Sequence, residues 1–133
     1  MTTTSYGIDR HLEGTGFDDA RARVIAALQK EGFGVLTTID VQETLKAKLG
    51  AEFRRYVILG ACNPGLAHQA LLAEPAIGLL LPCNVVVQEN PAGGVDVSIA
   101  DPRAMFSIVD NPALVPIVAD VDARLRRVAA ALG

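Results

Sequence analysis

Apolar residues recur at helical spacing in two long stretches. Phe17, Ala20, Val24, Ala27 and Leu28 form one stripe, predicting an amphipathic helix over Phe17 to Glu31. Thr15 reads as its N-cap, Asp18 and Asp19 suit its first turn, and Gly32 stops it. Val118, Val121, Leu125 and Val128 form the second stripe, in a final helix from about Ala113 to Leu132 that starts after Asn111-Pro112.

Between them the pattern shortens. Thr3 to His11 and Phe33 to Ile39 read as strands. Phe53 to Ala61 is a nearly continuous Val/Ile/Leu run, predicting a strand buried on both faces or central in its sheet. Asp40 and Glu43 have capping-box spacing ahead of a short helix, Val41 to Leu49, which Gly50 ends. Asn63-Pro64 opens another helix, with Leu66, Ala70, Leu71 and Ala73 on its apolar face and an end near Glu74-Pro75. Pro82 to Glu89 and Val95 to Ala100 flank the turn Asn90-Pro91-Ala92-Gly93-Gly94. That is a hairpin with Val85, Val87, Val95, Val97 and Ile99 toward the core. A short turn of helix over Arg103 to Val109 follows. One clear hairpin and a long terminal helix predict an α+β two-layer sandwich over a largely antiparallel sheet, in a single domain spanning residues 1–133.

Composition narrows this picture. Half of the residues are hydrophobic, only 5% are aromatic and Trp is absent, so the core must be aliphatic. The net charge of −3, with each Arg cluster beside acidic residues, argues against a nucleic-acid partner. The longest apolar stretch, Ala76 to Pro82, is too short to span a membrane, and the N-terminal residues lack the pattern of a secretory signal. A cytoplasmic protein with reduced cysteines is the expectation. The mean hydropathy of +0.32 is high for so small a domain and predicts apolar surface covered by another chain.

Candidate chemistry concentrates in Tyr56 to Glu89, which holds both cysteines. Cys62 directly precedes the helix opened by Asn63-Pro64-Gly65. The amides and dipole of that helix start should favour its thiolate. Gly60 and Gly65 leave room for close approach to the backbone. Cys83 follows Pro82 at the start of a strand. If the two strands pair antiparallel, both thiols reach the same edge of the sheet. His68, about one and a half turns into the helix, could point back toward them. Cysteine also packs as a small hydrophobe, so purely structural roles for both, or a regulatory disulfide, stay open beside a ligand or redox site. Cys62 and Cys83 are candidate metal ligands. A structural zinc wants four ligands and the chain has no C-x-x-C; His11 and Met105 could join only through folding. An axial thiolate to haem is the other cofactor option. The nucleophile-elbow, phosphate-loop and dinucleotide motifs are absent.

The pieces Y-V-I-L-G-A-C-N-P over Tyr56 to Pro64 and G-L-L-L-P-C-N-V-V-V-Q-E ending at Glu89 resemble the bacterial and archaeal family called domain of unknown function 302 (DUF302). Phe17 to Gly34, Val95 and Asp101-Pro102 extend the likeness over most of the chain. The resemblance implies a TBP-like α+β domain that associates as a homodimer, and it brings no settled activity. The leading expectation is a homodimeric small-ligand-binding protein. Its site would use Cys62, Asn63, Gly65, His68 and Cys83, and its ligand would be a metal, haem or a sulfur species. The alternatives are a thiol enzyme or sulfur carrier, with Cys62 as nucleophile, Cys83 as resolving thiol and His68 as base, and a structural interaction module.

Overall fold

Five antiparallel strands form one sheet in the order β1-β5-β4-β3-β2 in the computed structural model, which describes residues 3–133. The strands are β1 (Gly7–Leu12), β2 (Gly34–Asp40), β3 (Tyr56–Cys62), β4 (Cys83–Glu89) and β5 (Val95–Ala100). The helices are α1 (Phe17–Lys30), α2 (Val41–Leu49), α3 (Pro64–Ala73), α4 (Pro102–Met105) and α5 (Val115–Ala131). The fold is α+β, with helices packed on the sheet.

Alternation builds the covered face. Val85 and Val87 of β4 sit beside Val97 and Ile99 of β5, and all four are fully buried. Ala20, Val24 and Leu28 of α1, with Leu125 and Val128 of α5, close over them. The hairpin turn follows from its glycines. Gly93 and Gly94 take positive φ, and the Asn90 and Gly94 ends bond to each other.

Several elements depart from the sequence expectation. The cap of α1 is Gly16, because the Thr15 hydroxyl turns back to the Glu13 carbonyl. Phe33 does not begin β2. Its amide closes on the Leu28 carbonyl after Gly32 turns the chain at φ 85°, and its ring drops into the core. β1 begins at Gly7 rather than Thr3. β3 begins at Tyr56, since Phe53 to Arg55 form a loop tied to the hairpin by the Arg55 amide and Glu89. β3 is interior to the sheet, between β4 and β2, but it is not buried on both faces. Val57, Leu59 and Ala61 face the helices, while Tyr56 and Ile58 on the other face are half-buried. Leu71 of α3 is exposed, and Val118 of α5 only half-buried. The final helix starts at Val115, after a 3-10 turn over Pro112–Leu114.

One segment had no expected structure. Pro75–Leu80 winds into a 3-10 turn that buries Ile77. With Ala70 and Leu114 it makes a small second core beside the main one.

Candidate functional site

A cavity of about 40 Å³ lies at the seam between the two cores. The ends of β3 and β4 supply Ala61, Cys62 and Cys83, and α3 supplies Leu66, Ala67 and Ala70. Ile77 and Leu81 close one side, Phe106 another, and Ile117, Val118 and Val121 of α5 form the back. Besides Asn63, only the two thiols bring side-chain atoms other than carbon to this lining.

Each wall is fixed locally. Ala61 pairs with Cys83 across β3 and β4, so both look toward the helices. Cys62 is the next residue, the last of β3, and pairs with Gly34 of β2. Antiparallel pairing therefore brings both cysteines to one end of the sheet, and both are free thiols. The Asn63 side chain accepts the Leu66 amide at 3.2 Å and caps α3, with Pro64 in the first helical turn. Phe106 is held over the cavity because α4 is latched to α5. Buried Asp122 accepts from Arg103 at 3.0 Å and from Arg126 at 3.4 Å, and Arg126 also reaches Asp101, the cap of α4.

The electrostatics oppose an activated nucleophile. Burial raises Cys62 above the ordinary thiol value, and it pushes Cys83 up to about 11, with the charge of Cys62 adding to the rise. This direction runs against the helix-start expectation for Cys62. The α3 cap already satisfies the Leu66 amide, Pro64 has no N–H to offer, and no cation lines the cavity to repay desolvation.

The other expected participants stand apart. His68 lies on the exposed face of α3, outside the lining. Gly65 is exposed and outside it too; a Cβ there would meet only Asn63 Oδ1, at 3.7 Å. Gly60 does permit a close approach, but the chain itself fills the space. A Cβ would collide with the Thr37 hydroxyl and come within 2.9 Å of Pro82. His11 is held between Asp96 and Glu13, away from the cavity lining, and Met105 does not line the cavity. Among the described residues, no group of three or more His, Cys, Asp or Glu could hold a metal ion. A haem does not fit a cavity of this size, which is far below the roughly 300 Å³ and upward of ordinary cofactor pockets.

Sequence reading missed part of the lining, notably Phe33, Ile77, Leu81, Phe106, Leu114 and Ile117. The one available signal was the apolar stretch Ala76 to Pro82, too short and aperiodic to assign as helix or strand.

The family model for "Domain of unknown function DUF302" matches residues 8–132. The chain belongs to the DUF302 family. A solved relative, the "uncharacterized conserved protein DUF302 from Bacillus stearothermophilus", superposes with a TM-score of 0.87 at 30% identity, covering 98% of this chain and 100% of that one. No curated protein matches the chain. In this DUF302 chain Cys62 and Asn63 of the C-N-P piece and Leu81 and Cys83 of the L-P-C piece line the thiol end of the cavity. No helix among the described residues is long and apolar enough to cross a membrane.

Proposed function

We propose that this DUF302 protein binds a very small, neutral sulfur species in the Cys62/Cys83 cavity, as a homodimeric cytoplasmic protein. One observation carries the reading: an almost wholly apolar cavity whose few heteroatoms include two protonated thiols. An anion would lose its hydration there with no cation to replace it. At about 40 Å³ the cavity is small and suits a molecule of a few heavy atoms. Sulfur is polarisable, and it makes favourable contact with thiol and aromatic neighbours such as Cys83 and Phe106. Free thiols support a reducing, cytoplasmic setting. Exposed Leu36 and Ile39 support a partner chain.

Binding is favoured over thiol catalysis because both thiols hold their protons and His68 is out of reach. The test is methyl NMR of Ala70 and Ile77 during titration with hydrogen sulfide, at a pH where it is neutral, and with methanethiol. Saturable shifts are expected in the wild type, weakened in a Cys62→Ser/Cys83→Ser double variant. Absence of shifts with both probes, or equal binding by the double variant, would sink the proposal.

A further inference from the structure

From Gly34 to Tyr56, twenty-three consecutive residues, no residue is buried. The stretch contains β2, α2 and the loop into β3, so it holds ordered secondary structure with little packed against it. α2 is nine residues long and none of them is buried. Its caps are good: Asp40 accepts the Glu43 amide at 3.0 Å and Gly50 closes the far end in the left-handed region. Caps alone do not hold so short a helix in water; most helices depend on packing an apolar face. The face exists, since Val41, Leu45 and Leu49 recur every four residues, and Leu49 is 74% exposed.

β2 has the same character. It is an edge strand of the sheet. Its residues Gly34 to Ile39 carry no charge, and Leu36 and Ile39 are exposed. The opposite edge, β1, carries Asp9, Arg10 and His11, the kind of charges that guard an edge against pairing. Only the β2 edge is left inviting.

We propose that β2 and α2 form the self-association surface, with two β2 edges pairing antiparallel across a twofold axis normal to the sheet. The result is one continuous ten-stranded sheet. The irregularity between Val35 and Thr37 confines the new ladder to Thr37 to Asp40. Such an axis keeps both α2 helices on the same face of the sheet and runs them antiparallel. Charge favours a second copy as the occupant. Glu43 lies in the first turn of α2, Lys46 and Lys48 in the last, so antiparallel copies set acid against base and oppose their dipoles. Both the strand edge and the helix ends call for the same symmetry operator.

The inference rests on the homodimer proposed above and not on the ligand cavity. Sedimentation equilibrium tests both levels, with wild type, Leu36→Lys/Leu49→Lys and Leu72→Lys/Leu79→Lys. All four leucines are solvent-exposed in the single chain, and circular dichroism confirms that each variant folds. The expected result is a wild-type dimer, weakened at least thirtyfold or so in Leu36→Lys/Leu49→Lys, as for burying unpaired charge, and unchanged in Leu72→Lys/Leu79→Lys. A monomeric wild type removes the homodimer itself. A dimer that survives Leu36→Lys/Leu49→Lys, or that is lost in Leu72→Lys/Leu79→Lys, overturns this interface alone.

Discussion

Raising the pH addresses the two thiols separately. Only the thiolate is alkylated, so rate follows the fraction deprotonated. Burial moves Cys83 from 9.0 to about 11. At any pH well below both values, two units mean about a hundredfold less thiolate. In the wild type, iodoacetamide should therefore modify Cys83 about a hundredfold more slowly than an unfolded-state thiol at pH 8, and by a smaller factor in a Cys62→Ser variant. Limited access to a residue only 9% exposed slows it further. Cys62, half-buried, is raised in the same direction and should react first. Because the charge of Cys62 adds to the rise at Cys83, Cys62→Ser should lower the Cys83 midpoint relative to wild type.

The same shift enters stability. Between pH 9 and 11 the native Cys83 keeps its proton while the unfolded chain has lost it. The unfolded state then binds fewer protons, so stability falls as pH rises through this window. It is fully present below 9, and the loss reaches at most about 2–3 kcal/mol above 11. Peptide-resolved mass spectrometry of alkylation from pH 6 to 12, with a guanidinium-unfolded reference, measures the rates; urea unfolding across the same range measures the stability. A Cys62 midpoint below that of the unfolded thiol would refute the reasoning and restore the nucleophile. A Cys83 midpoint at or below 9 would refute it equally, by showing the cavity to be wet.

Gly60→Ala should destabilise the chain by about 1–3 kcal/mol, since the new methyl meets the Thr37 hydroxyl and Pro82 within a well-packed sheet; an unchanged urea midpoint would count against the close approach. The His11 imidazole is raised above its ordinary value by its hydrogen bonds to Asp96 and Glu13, so its stabilising contribution is complete below the unfolded value of 6.5 and is lost as pH rises through the folded one. NMR titration of the ring should give a midpoint above 6.5 that falls in Asp96→Asn, and a midpoint that ignores Asp96 would exclude the bridge.

The readable parts of this fold were those where one local rule decides. Strict alternation in Val95 to Ala100 fixed which side chains enter the core. Asn63-Pro64 and Asp40-x-x-Glu43 announced helix starts because a side-chain acceptor meets a free amide there, and both caps form. Burial on a second face is a different matter. The apolar run of β3 is compatible with a covered or an open face, and only the placement of the helices decides. The cysteines show the same division. Their meeting at one end of the sheet followed from antiparallel pairing, but their ionisation depends on what surrounds them. The helix start was visible in the sequence; the hydrocarbon wall from α5, Ile77 and Phe106, which adds to the burial that raises the Cys62 thiol, was not.

The two proposed surfaces share one strand pair. Cys62 is the last residue of β3, and its ladder partner is Gly34, the first residue of β2. An edge strand with no buried residue belongs to the low-stability end of a structure, where opening begins. Fraying of β2 would remove the ladder partner of Cys62, at the end of the sheet where both thiols stand. Pairing of two β2 edges would remove that route by turning the edge into the middle of a sheet. On this reading self-association sets how readily a small ligand enters, even though no residue of β2 or α2 lines the cavity.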